Sequence, residues 1–133
     1  MTYRIDWPRG FDRTPPAERE PYPHNFRVTR REAIENILEE LRKMDVRDIN
    51  ILTDAEHQDQ NSNIPYADST YEDPGVVVYF NRDGSQYAVP CDRWDSLRDN
   101  AQAIAKYLNA KRALDRYGVE TVENEFTTQI YEP

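Results

Sequence analysis

"PGVVVYFNRDGSQYAVPCDRWDSL", residues 74–97, is the stretch on which the fold turns. Val76 to Phe80 form a continuous apolar run, too short for a helix of ordinary length and rich in β-branched and aromatic residues. It reads as a central strand buried on both faces. Asn81-Arg82-Asp83-Gly84 supplies a turn, with Gly84 free to take positive φ. "SQYAV" then returns antiparallel, and Pro90 ends the ladder because it has no N–H to donate. Beyond it Cys91, Asp92, Arg93, Trp94 and Asp95 crowd a joint where strand passes to helix.

Working outward, Asp92 stands where a helix N-cap is expected, with Asp95 three residues on, and both acids suit the positive end of a helix dipole. Trp94, Leu97, Ala101, Ile104 and Leu108 recur at spacings of three and four, a seam that predicts a helix continuing through Leu114 to Tyr117, with a stop at Gly118. Asp99 and Gln102 offer a second cap, which predicts a break or kink near 98–100. Upstream, Thr29 and Glu32 form a T-x-x-E capping box. Ile34, Ile37, Leu38 and Leu41 follow at helical period, so residues 30–44 are expected to be helix, with Glu39 and Lys43 paired at i, i+4. "DINILT", residues 48–53, reads as a strand with Ile49 and Ile51 on one face and Leu52 on the other.

The order helix, strand, strand, strand, helix predicts an α+β domain. Its three-stranded sheet contains an antiparallel hairpin and carries two helices on one face. Residues 29–133 make up this domain, ending in a short helical or irregular tail from Val119. Residues 1–28 hold Pro8, Pro15, Pro16, Pro21 and Pro23 and read as an extended Pro-rich arm. Tyr3, Trp7, Phe11, Tyr22 and Phe26 give that arm apolar anchors, so it is expected to strap across its own domain. A partner-binding strap is the alternative.

The joint residues invite a catalytic reading, and each also has a plain structural one. Cys91 reads as a small buried hydrophobe, since a nucleophilic thiol wants a His base and only His24 and His57 exist, both in loops. Arg93 is expected to bridge neighbouring carboxylates, and Trp94 to begin the buried helical face. Residues 54–73, a long acidic loop without apolar period, are expected to be mobile and solvated. Asp54, Glu56, His57 and Asp59 lack the alternating acids and central Gly of a calcium loop. They are taken as acidic surface. Candidate interaction or junction residues are therefore Tyr66, Asp73, Cys91, Asp92, Arg93, Trp94 and Asp95, with acidic surface at Asp54, Glu56 and Asp59. No catalytic, cofactor or metal residue is assigned.

Charge narrows the partners. The 133 residues carry a net charge of −8, and residues 45–75 hold eight acids against one base, Arg47. Direct nucleic-acid binding, which needs a basic face, is not expected. No run approaches the ~18 apolar residues of a membrane span, the start has no apolar signal segment, and one cysteine fits a reducing compartment. A cytoplasmic protein without a membrane role or cofactor is the expectation.

Several fragments in order, "RTPPAERE", "PYA", "DPGVVVYF", "CDRWD", "DN", "RYG" and "EFT", give residues 7–130 a family likeness. The chain resembles the region that precedes the J domain in DnaJ-like proteins of bacteria, phages and plasmids. "DPGVVVYF" and "CDRWD" are the most specific of these. The sequence holds no His-Pro-Asp tripeptide, so J-domain stimulation of an Hsp70 ATPase is not implied. The resemblance implies a non-catalytic accessory or protein-interaction domain tied to mobile genetic elements, with an unidentified protein partner. The stretch "EHQDQNSNIPYADSTYEDPG", residues 56–75 of this chain, is longer and more acidic than that family's pattern. Two other classes are kept beside it. One is an acidic inhibitor that mimics nucleic acid. The other is a metal-dependent nuclease using Asp73, although "SQYAV" lacks the acid and Lys such a site needs.

Overall fold

The computed structural model describes residues 5–24 and 26–116. Its helices and strands run α1 (Arg30–Lys43), β1 (Arg47–Thr53), β2 (Val76–Arg82), β3 (Ser85–Cys91) and α2 (Leu97–Arg116). A single 3-10 turn, Pro16–Glu18, lies in the N-terminal arm. The three strands form one antiparallel sheet in the order β1-β2-β3, an α+β fold.

Helix α1 begins where its box dictates. The Thr29 hydroxyl accepts from the Glu32 amide at 3.1 Å, and the Glu32 carboxylate accepts from the Thr29 amide at 2.9 Å. That second bond holds the Glu32 carboxyl below its ordinary pKa. The helix ends through Asp45, which takes φ +54 at the position glycine usually fills. The expected Glu39–Lys43 pair does not form, because Glu39 meets Arg42 one turn away and Lys43 leans to Glu40 at 3.9 Å. Between β2 and β3 the tight turn is Asp83-Gly84, both at positive φ, closing the pair Arg82–Ser85. Pro90 does not end the ladder. It pairs opposite Val77 inside β3, where an edge strand tolerates a missing donor.

Alternation along β2 divides the core into two layers. Val76, Val78 and Phe80 face the helices with Ile51 and Val89, meeting Ile34, Ile37 and Leu41 of α1 and Leu97, Ala101, Ile104 and Leu108 of α2. Val77 and Tyr79 face the other way with Ala88, and there the N-terminal arm covers them with Ile5 and Trp7. The Tyr79 hydroxyl fixes that crossing by donating to the Asp6 carbonyl. The central strand β2 is thus buried on both faces, by helices in front and by the arm behind.

Residues 54–73 are tied down at several points. Ala55 and Ile64 enter the main core, each 5% exposed. Asn63 docks against the open edge of β1, its side-chain oxygen accepting from the Ile51 amide at 2.9 Å and its amide donating to Ile49. A backbone bridge joins His57 to Pro65. Isolated residues, not a periodic face, thus supply the anchors, while Glu56, Asp59, Asp68 and Glu72 stay exposed as expected of a solvated loop. This loop also covers an edge that would otherwise be free to pair with another chain.

Helix α2 starts later than Asp92. Ser96 is its cap: the Ser96 hydroxyl accepts from the Asp99 amide and its carbonyl from the Asn100 amide. Leu97 donates its own amide to the Tyr71 hydroxyl at 3.1 Å. No break falls at 98–100, since that is the first turn itself. Leu114, expected on the buried seam, is exposed. The expected stop at Gly118, the tail and Tyr3 lie outside the described residues. No described helix is long and apolar enough to cross a membrane.

Candidate functional site: an arginine seat between the arm and the strand-to-helix joint

Three distant segments meet beside the end of β3. The arm brings Arg13, Thr14 and Arg19, the run into β2 brings Asp73 and Gly75, and the joint brings Asp92. Arg13 is the hub. Its Nη2 donates to both oxygens of Asp73 at 2.6 and 2.7 Å, and its Nε donates to Asp92 at 2.8 Å. The guanidinium lies over the Trp7 ring, 4.1 Å from its centroid, in cation–π contact. Asp92, 4% exposed, also accepts from the Thr14 amide at 3.0 Å and the Thr14 hydroxyl at 2.8 Å. Arg19 reaches Asp92 at 3.4 Å and Asp73 at 3.8 Å. Two cations thus face two anions in a site largely closed to water.

Burial opposes the charge on Arg13, but its bonds to Asp73 and Asp92 outweigh it and hold the guanidinium above its ordinary pKa. Asp73 is itself fixed, accepting from the Gly75 amide at 2.9 Å. Gly75 matters here for space. A Cβ at that position would lie 3.0 Å from Arg13 Nη2, 3.1 Å from Asp73 Oδ1 and 3.2 Å from the Trp7 ring.

Asn100 organises the joint from below. It is fully buried, and its side-chain oxygen accepts from the Trp94 amide at 2.9 Å and faces the Cys91 thiol at 3.4 Å. Its amide donates to the carbonyls of Pro74 and Trp94. One helical side chain therefore ties the start of β2 to the end of β3. Burial pushes the Cys91 thiol up to about 11, which leaves it protonated near neutrality, the reverse of an activated nucleophile.

The sequence-derived candidates therefore separate. Asp73 and Asp92 come together through Arg13. Asp92 is no N-cap: its carboxylate turns to the arm, and Ser96, four residues on, caps the helix. Arg93 does not bridge carboxylates but is exposed, lying over Trp94 at 5.0 Å, while Arg13 takes the bridging role. Trp94 precedes the helix and packs edge-on against Tyr22 at 4.8 Å, and Phe26 stacks on Tyr22 in turn. Asp95 serves through its backbone, as its amide donates to the Glu20 carbonyl while Glu20 donates to Arg93. Tyr66 is exposed, its carbonyl accepting from Arg30 at 2.7 Å.

The acidic loop is also redistributed. Asp54 turns inward and accepts from the amides of Glu72 and Asp73, so it is not free acidic surface. Glu56 and Asp59 remain exposed, joined by Asp68 and Glu72. His57 bonds Thr53 at 2.8 Å and the Ser62 carbonyl at 2.6 Å. Among the described residues no three His, Cys, Asp or Glu side chains converge as metal ligands would.

Sequence reading missed Arg13, Thr14, Arg19, Gly75 and Asn100. Asn100 alone left a trace, a polar residue flanked by Leu97, Ala101 and Ile104 on a buried seam. No family model, no curated protein and no solved structure matches the chain.

Proposed function

We propose that the chain is a non-catalytic protein-interaction or accessory domain. The sequence resemblance supports an association with mobile elements, and the absence of a His-Pro-Asp tripeptide supports a lack of J-domain activity. The observation that carries this reading is the use to which the joint's reactive groups are put. Asp73, the acid a nuclease would use, and its neighbour Asp92 are engaged by Arg13, and Cys91 is held as a protonated thiol against Asn100. The two acids hold the arm to the domain and leave the chain's outward chemistry to its surfaces.

A second reading, an acidic mimic of nucleic acid, is favoured by one observation. Glu56, Asp59, Asp68 and Glu72 are all exposed on a loop that the fold holds in place. Titrating a captured partner against the wild type and a Glu56→Gln/Asp59→Asn/Asp68→Asn variant separates the two. Affinity that falls steeply between about 50 and 500 mM salt, and is lost in the variant, selects the mimic. Affinity indifferent to both selects an interaction domain acting through another surface. Metal-dependent nucleic-acid cleavage, abolished by Asp73→Asn at unchanged melting temperature, would overturn both.

A further inference from the structure

Residues 9–20 lie on the domain much as a bound peptide lies on a receptor. Within them only Phe11, Arg13, Thr14 and Arg19 lose much of their surface, and the intervening residues point to solvent. Their grip is polar and of a peptide-recognition kind: a guanidinium held by two carboxylates, a backbone amide and hydroxyl on Asp92, and one rung of parallel β pairing at Glu20 with Trp94.

The domain side of this contact is a seat shaped for an arginine. Asp73 and Asp92 converge on one guanidinium, and Gly75 leaves vacant the space that a Cβ would take from it. Two carboxylates so placed repel each other when bare, so any replacement occupant must itself bring a cation with forked donors. The arm meets that requirement with a flaw. Arg19 has a side chain only 7% exposed, and its Nε is buried with no hydrogen-bond partner among the described residues. A buried donor without an acceptor penalises the closed arm and not the open one.

Resting on the interaction-domain reading, we infer that the Asp73–Gly75–Asp92 seat is a docking site for an extended, arginine-bearing peptide segment of a partner protein. The chain's own arm occupies it in cis until displaced. A tethered arm acts at an effective concentration on the order of millimolar, so only a segment that fits better, or is present locally at comparable concentration, takes its place.

The test uses full-length chains and a fluorescent synthetic peptide of residues 9–22, followed by anisotropy. The wild type should show no saturation below roughly 1 mM peptide, because the tethered arm competes. Arg13→Ala, which weakens the arm and leaves the seat intact, should saturate at a peptide concentration at least about tenfold lower. Adding Asp73→Asn to that variant, or replacing the arginine at position 13 of the peptide by alanine, should abolish the gain. A folded Arg13→Ala chain that binds no peptide, or binds it regardless of Asp73, overturns the inference. So does concentration-dependent dimerisation of the wild type that Arg13→Ala abolishes, since the occupant would then be a second copy's arm. Amide exchange on the wild type decides independently of how the variant folds: the Thr14 and Glu20 amides should open at least about a hundredfold more often than those of Val76–Phe80. Equal protection would show an arm that never leaves. Partner capture that persists while the seat proves inert leaves the interaction-domain reading standing and removes only this inference.

Discussion

Asp92→Asn distinguishes a helix cap from an ion-pair anchor. At an N-cap, asparagine and aspartate are nearly equivalent, so a capping role predicts almost no loss of stability. In the structure Asp92 is 4% exposed and accepts from Arg13, Thr14 and Arg19. An asparagine there removes the negative charge and turns an NH2 toward donors, while Arg13 keeps Asp73. Breaking one side of a buried ion pair costs about 3–5 kcal/mol, and the remaining Asp73 contact lowers the expectation to about 2–4 kcal/mol. With a urea slope of about 1.5 kcal/mol per molar, the unfolding midpoint should fall by roughly 1.3–2.7 M. The fall should come at unchanged helix content, because Ser96 still caps α2. A midpoint shift below about 0.3 M would refute the anchoring role and restore the capping one.

Gly75→Ala should destabilise by about 1–3 kcal/mol through overpacking against Arg13 and Trp7, read as a lower melting temperature. Asn63→Ala should cost about 1–2 kcal/mol and raise hydrogen exchange at the Ile51 amide, which loses its acceptor. Cys91 couples stability to alkaline pH: its thiol titrates at about 11 in the fold against an ordinary 9.0. Its contribution is therefore intact below pH 9.0 and lost as pH rises through about 11, because the unfolded chain ionises first. Cys91→Ala should lack that component of the alkaline decline, and an identical decline in both chains would contradict it. Thiol labelling of the native wild type at pH 8 should run about a hundredfold slower than in denaturant.

The sequence disclosed whatever was written in local pattern. The T-x-x-E box gave α1 its first residue, the run Val76–Phe80 gave the central strand, and the expected turn at Asn81-Arg82-Asp83-Gly84 gave the hairpin, although Asn81 and Arg82 belong to β2. Each of these is decided within about ten residues, where propensity and period act. The seat is another matter. Arg13 meets partners 60 and 79 residues away, and no period in the arm marks which arginine turns inward. Asp92 was misread because aspartate is a favoured cap, and Ser96, equally suited, stood nearer the true first turn. The loop's anchors escaped notice for a related cause: Ala55, Asn63 and Ile64 hold it singly, and single anchors leave no period.

The most direct test that the joint clamps the arm is a double-mutant cycle on Arg13→Ala and Asp73→Ala, followed by urea unfolding. Direct contact at 2.6 Å in a largely buried site predicts a coupling energy of about 1.5–3 kcal/mol, with the double variant far less damaged than the sum of the singles. Additive losses, within about 0.5 kcal/mol, would mean that the arm and the domain do not meet through this pair, and the account would fall.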